Sequence, residues 1–354
     1  MFDFKTKRPD RWLGALLMAP LLLAACATRP ASAADVVNIY SYREPRLIHP
    51  LLAAFTQKTG IKTQLVYGQD GLLERVAAEG KNSPADVILT VDIGRLADAK
   101  AKGISQPITS PTVIANIPAT YRDPEGHWIG LTERARIVFA SKTRVKQDAI
   151  TYDELADPKW KGKICMRSGQ HTYNIGLLAS IIAHEGPAKA EAWAKGVKAN
   201  LARKPAGGDR DQAKAIFAGE CDLAVANTYY MAAMQQNTRN PEQQKWAAAI
   251  KIIFPDAKDR GTHVNISGAV LAKYAPNKAN AIKLIEFLTG PDGQKVYADA
   301  VNEYPLLKGV PASKLVESWG KLVPDKLAFS RIAALRRQAS QIMDKVAFDA
   351  GPGS

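Results

Sequence analysis

The 354-residue sequence has no cysteine–histidine cluster at metal-ligand spacing, no nucleophile elbow, no carboxylate pair placed for hydrolysis and no apolar run of membrane length. Each absence removes a class of function. The three cysteines and five histidines are scattered, and neither Cys165 nor Cys221 has a nearby partner of the kind a zinc site needs. Ser168 lacks the histidine and acid that would make it a nucleophile. The formal charge is +14, but the basic residues sit in amphipathic stretches with acidic neighbours. Without a basic run or interleaved aromatics, nucleic-acid binding is not indicated. A diffuse positive field suits an anionic ligand or surface instead. No internal repeat or low-complexity tract is present, and the apolar and charged fractions, 46% and 23%, are those of a globular chain long enough for two domains.

Residues 1–33 read as an export signal, with Lys5, Lys7, Arg8 and Arg11 ahead of the apolar stretch 13–25, which is too short to span a membrane comfortably. Two processing sites compete. Leu23-Ala24-Ala25-Cys26 resembles a lipobox, which would remove 1–25 and leave a lipid-anchored Cys26, whereas Ala31-Ser32-Ala33 fits ordinary cleavage. Loss of 1–25 takes those four cations with Asp3 and Asp10, leaving the charge near +12. Export places Cys165 and Cys221 in an oxidising compartment, where a disulfide between two strands and a pair of buried free thiols are both open readings.

Periodicity gives strands at 36–40, 61–66 and 85–89 alternating with helices at 47–58, 72–79 and 93–101, an α/β unit with a mostly parallel sheet. Residues 128–140 read as one long strand crossing between lobes, with Arg134 and Arg136 on one face. A second α/β pattern follows: a strand at 163–166, helices at 177–184, 188–200 and 212–218, and the strand from Cys221 that ends at Tyr229 and Tyr230. Asp209 is placed to cap the helix at 212–218. Residues 261–271 form a second crossing strand, helices follow at 277–288, 294–301 and 327–346, and 351–354 is a loose tail. The fold class is α/β, two-lobed with a hinge.

Adjacent tyrosines along a continuing strand would point to opposite faces, so Tyr229 and Tyr230 can serve one object only if the strand stops and the backbone turns there. The alternative is a partly buried aromatic pair. Phenolate is a hard anionic donor matched to a hard cation such as Fe(III), and a coordinated trivalent ion favours the ionised phenol. Tyr229, Tyr230 and Tyr173, the last in the 168–174 loop, would balance the charge of a ferric ion. Water or a small anion such as carbonate or bicarbonate would fill the remaining positions. Arg134 is the leading anion holder, because a guanidinium grips carboxylate-like oxygens bidentately. Ser168, Gly169 and Asn227 could add donors, and Arg43 could approach from the other lobe; Ser168 and Asn227 read equally well as turn-formers. His171 invites a metal role beside Tyr173, though a loop histidine is more often solvated. Glu44 and Asp92 read either as carboxylates of the opposing lobe or as surface and capping charges, Tyr40 as packing and Tyr42 as cleft lining.

Five segments carry a resemblance: Asn38-Ile39-Tyr40-Ser41-Tyr42-Arg43-Glu44-Pro45, Ser83-Pro84-Ala85-Asp86-Val87, Gly207-Gly208-Asp209-Arg210, Asn227-Thr228-Tyr229-Tyr230 and Val264-Asn265-Ile266-Ser267-Gly268. From about Asp35 to about Lys321 the chain resembles the ferric-ion-binding periplasmic proteins of bacterial iron ABC transporters. The resemblance implies a type II-like two-lobed receptor, monomeric and not an enzyme, delivering Fe(III) to an inner-membrane permease and its ATPase. It implies that Tyr229 and Tyr230 are the ligand pair, Tyr173 the third tyrosine and Arg134 the holder of a synergistic anion. Lobes of 35–135 with 264–311, and of 136–263 with 312–350, are expected. Where some members carry a His or Tyr ligand in the first-strand loop, this chain has Glu44 and Pro45, and the extra Glu that some have near Val91 is missing. The competing reading keeps the two-lobed receptor and replaces iron with a phosphonate or polyamine.

Overall fold

In the computed structural model, which describes residues 35–353, β1 (Val36–Ser41) pairs in parallel with both β2 (Lys62–Tyr67) and β3 (Val87–Thr90). The signal-like segment with Cys26 lies outside the described residues. Between the first two strands runs α1 (Pro45–Thr59), with Pro45 in the first turn where a missing N–H costs nothing. Leu47, Ile48, Leu51, Leu52 and Phe55 form its buried face, and Gly60 closes it at φ 74°. The expected helices at 72–79 and 93–101 are α2 (Leu72–Glu79) and α3 (Ile93–Ala101). Next come β4 (Ser105–Gln106), α4 (Pro111–Asn116) and β5 (Ile129–Ser141), every residue of which is buried.

The rest of the chain supplies β6 (Ile164–Cys165), α5 (Thr172–Glu185), α6 (Pro187–Ala199), α7 (Asp209–Ala218), β7 (Leu223–Asn227) and α8 (Thr228–Gln235). Then follow α9 (Pro241–Ala248), β8 (Ile250–Ile253), β9 (Val264–Ala272), α10 (Lys278–Thr289), α11 (Pro291–Val296), β10 (Tyr304–Pro305), α12 (Lys314–Glu317) and α13 (Phe329–Lys345). Among the described residues no helix is long and apolar enough to cross a membrane.

The strand order is β2-β1-β3-β9-β5-β7-β6, and β5 is where one half of the sheet gives way to the other. Its residues through Ala135 pair with β9, whose Val264 lies opposite Ala135. From Arg136 onward it pairs with β7, and Asn227 lies opposite Arg136. The crossover therefore falls between the two arginines that share a face. Gly268 of β9 permits the close approach: a Cβ there would stand 2.4 Å from the Ile129 carbonyl oxygen. Cys165 and Cys221 form a disulfide with Cα atoms 5.9 Å apart, joining β6 to the residues that open β7.

Four expectations are corrected. The helix expected from 177 begins at Thr172, so Tyr173 stands in a first helical turn and not in a loop. Gly208, not Asp209, caps α7; Asp209 is its first residue and is buried. The strand β8 pairs with β5 where none was expected. The 351–354 tail is not loose from its start, because Phe348 and Gly351 are buried, and a Cβ on Gly351 would lie 3.0 Å from the Lys204 Cα.

Candidate functional site

Strand β7 ends at Asn227 and α8 begins at Thr228, so the backbone turns where the adjacent tyrosines require it. On a helix, neighbours are about 100° apart instead of opposed. The Tyr229 and Tyr230 rings thus lie side by side, centroids 4.3 Å apart and inclined by 33°. Tyr173 meets them from the first turn of α5, its phenol oxygen 3.0 Å from that of Tyr229. His171 fixes the start of α5, its Nδ1 accepting the Tyr173 N–H at 3.2 Å. Burial, then the charge of Arg167, pushes this imidazole down to about 3, so it is a neutral acceptor. It is a helix cap, not a solvated loop residue.

Burial raises the Tyr229 phenol well above its ordinary range, and the neighbouring phenols of Tyr173 and Tyr230 add to the rise. Tyr230 is raised for the same first reason. Both are neutral at physiological pH until a cation displaces their protons. Among the described residues no group of three His, Cys, Asp or Glu side chains is placed to hold a metal, so the hard donors gathered here are the phenols.

Guanidinium groups surround the phenols. Arg134, Arg136 and Arg167 lie 5.6, 5.7 and 5.3 Å from the centroid of the Tyr173 ring, and Arg210 lies 4.9 Å from that of Tyr230. One carboxylate answers two of them. Asp209 accepts from Arg136 Nη1 at 2.6 Å and from Arg167 Nη1 at 3.3 Å. Burial would raise the Asp209 carboxyl, but Arg136 and Arg167 together hold it below its usual range. Arg134 is different. It is 1% exposed, and neither of its terminal nitrogens has a hydrogen-bond partner. Arg134 acts through space on the carboxyl groups of Asp92, Glu133 and Glu303, so what its terminal nitrogens lack is a direct acceptor. Asn227 Nδ2 is likewise buried and unpartnered, while its Oδ1 accepts from Arg136 Nη1 at 3.2 Å.

The other expected donors are engaged elsewhere. Ser168 Oγ and Gly169 N donate to the Asp349 carboxylate at 2.5 and 2.6 Å, so in this arrangement they serve the carboxyl-terminal turn and not an anion beside Arg134. Arg43 donates through Nη2 to Glu303 at 2.8 Å and to Ser267. Burial opposes its charge, and Glu303 more than restores it. Asp92 caps α3 by accepting from Arg95 N at 3.1 Å. Glu44 lies 3.7 Å from Arg210. Tyr40 donates to Glu79 at 3.0 Å, and Tyr42 Oη accepts from Leu73 N at 2.9 Å.

The three phenols, Arg167, His171 and Ser168 border a cleft of about 1090 Å³, whose lining does not include Arg134 or Asn227. Tyr42, Arg43 and Tyr67 line it from the β1–β3 side, Tyr173, Tyr229 and Tyr230 from the other, and Arg336 and Arg337 of α13 complete the wall. Arg336 crosses to pair with Asp98 at 3.1 Å, lying where a Cβ on Gly94 would come within 2.0 Å of it. Sequence reasoning missed Arg167, Glu303, Asp349 and the pairing of Asp209. Glu303 and Asp349 act 260 and 181 residues from their partners, beyond any local pattern. Arg167 was legible in principle, since it directly precedes the Ser168 loop.

A family model described as bacterial extracellular solute-binding protein matches residues 82–324. The iron uptake protein A1 of Synechocystis sp. is 43% identical over 333 residues, 92% of each chain. Apo ferric ion-binding protein A of Pasteurella haemolytica has a TM-score of 0.85 at 46% identity, covering 89% of this chain and 99% of that one. A Trichodesmium protein solved in complex with iron and citrate ligands has a TM-score of 0.83 at 43% identity, covering 88% and 99%.

Proposed function

Because the chain belongs to the family of bacterial extracellular solute-binding proteins, we propose that it is a periplasmic receptor that captures Fe(III) through the phenolates of Tyr173, Tyr229 and Tyr230. An anion held by Arg134 completes the site. The observation that carries this reading is the convergence of three phenols from two helix starts beside a buried guanidinium with two unpartnered nitrogens. Three phenolates balance the formal charge of a ferric ion, and an anion would accept from the two unpartnered Arg134 nitrogens. Asn227 Nδ2 is the second donor available to that anion. Carbonate or bicarbonate fits a bidentate guanidinium, and the citrate in the Trichodesmium complex supports an oxyanion of this kind.

The receptor opens and closes about the crossover, with lobes of 35–135 with 264–311 and 136–263 with 312–350. The change of partner strand between Ala135 and Arg136 supports that division. It passes iron to a membrane permease driven by an ATPase and catalyses nothing itself. Calorimetric titration with ferric citrate, a phosphonate and a polyamine tests the reading. Saturable heat is expected from the ferric chelate alone, and binding of either organic ligand with no response to iron overturns it.

A further inference from the structure

A single guanidinium touches both phenol-bearing segments. Arg136 Nη2 donates to Asn174 Oδ1 at 2.7 Å, and Asn174 follows Tyr173 in the first turn of α5. Arg136 Nη1 donates to Asn227 Oδ1 at 3.2 Å, and Asn227 precedes the helix that carries Tyr229 and Tyr230. Asp209 closes the arrangement from a third element. Its Oδ2 accepts from Arg136 Nη1 at 2.6 Å and from the Asn227 N–H at 2.8 Å. Asn174 uses its other end too, donating from Nδ2 to the Ser168 carbonyl at 2.9 Å and the Arg167 carbonyl at 3.1 Å. Arg136 and Asp209 are 2% and 0% exposed, so water does not compete for these bonds.

The backbone of Arg136 is itself fixed. Its N–H donates to the His263 carbonyl at 2.9 Å, its carbonyl accepts from the Tyr152 hydroxyl, and it is the first residue of β5 to pair with β7. The side chain therefore starts from a rigid point at the crossover and reaches the starts of two helices. A shift of either helix start would break a charge-assisted bond in a buried site.

We propose that Arg136 and Asp209 are positioning residues for ferric binding: as one buried pair they hold the starts of α5 and α8 in fixed relation, so that the phenols of Tyr173 and Tyr229 meet at one point. The inference rests on the ferric reading of the site. A buried ion pair need not add stability over an apolar substitute. Its role here is geometric, and tolerance for misplacement in a metal site is small.

The test uses the full mature chain, loaded with a ferric chelate in bicarbonate buffer and followed by visible absorption and chelator competition. Asp209→Asn, Arg136→Lys and Asn174→Ala are compared with Tyr173→Phe. Asn174→Ala leaves the ion pair intact and cuts the tether to α5 together with the bonds to the Ser168 and Arg167 carbonyls, which keeps the test open if a charge variant fails to fold. Asn174→Ala is expected to weaken iron binding at least tenfold and to move the band towards that of Tyr173→Phe. Asp209→Asn is expected to lose more, and Arg136→Lys to lose the band position because it cannot reach both amides. A wild-type band with Asn174→Ala bound within twofold and spectrally unchanged overturns the positioning role alone. An unaltered protein that develops no band overturns the ferric reading and this inference together.

Discussion

Tyr173 and Tyr229 stand 56 residues apart in sequence, each near the start of its own helix, and their phenol oxygens are 3.0 Å apart. Two neutral phenols gain one modest hydrogen bond from that approach. As phenolates without a cation they would repel strongly in a buried site. Their proximity would suit a positive guest, and the proposed ferric ion is one whose charge and hardness fit.

The anion is tested at Arg134. Replacement by Gln removes the charge while leaving the phenols in place, and ferric affinity in bicarbonate is expected to fall by about 10- to 100-fold, the range of a charge-assisted bond. The variant should also lose its dependence on bicarbonate concentration. Chelator competition at several bicarbonate concentrations measures both, and an Arg134→Gln protein that keeps the wild-type dependence would place the anion elsewhere.

A second expectation concerns pH. Glu133, on the crossover strand, is buried and accepts from the Tyr121 hydroxyl at 2.7 Å, and burial raises its carboxyl from 4.5 to about 7 despite that bond and Arg134. Between those values the folded state binds more protons than the unfolded one, so stability is fully present below about pH 4.5 and is lost as pH rises through 7. The loss amounts to roughly 3 kcal/mol at most. Glu133→Gln retains an acceptor for Tyr121 and does not titrate. Urea unfolding at pH 5 and pH 8 should therefore show this component of the pH dependence in the wild type and not in the variant.

The Cys165–Cys221 bridge closes a separation of 56 residues, for which loop-closure entropy gives a stabilisation of about 4 kcal/mol. Cys165→Ser with Cys221→Ser is expected to lower unfolding stability by about 2–5 kcal/mol. Unfolding with and without reductant should separate the wild type's two midpoints and leave the double variant with one.

Much of this was legible locally. The helices at 72–79 and 93–101 follow from apolar spacing, and the crossover strand follows from a long buried-type run with charges in its middle. A turn at Asn227 is the condition that side-chain alternation sets for two adjacent phenols to serve one object, and the strand does end there. What stayed hidden depended on distant partners. Nothing near Asp209 announces that it answers Arg136, 73 residues away, and its position at a helix start favoured the capping reading. Ser168 and Gly169 look like free donors until Asp349 arrives from the far end of the chain. Tyr173 reads as part of the 168–174 loop ahead of a helix at 177–184, yet the His171 side chain caps a helix that already begins at Thr172.

The most direct test of the account is the visible spectrum of the purified protein after ferric loading, recorded beside Tyr229→Phe. Tyrosinate-to-iron coordination predicts a charge-transfer band in the wild type that is weakened or shifted in the variant, with a loss of iron affinity. A colourless loaded protein, or a band that Tyr229→Phe leaves unchanged, would contradict it.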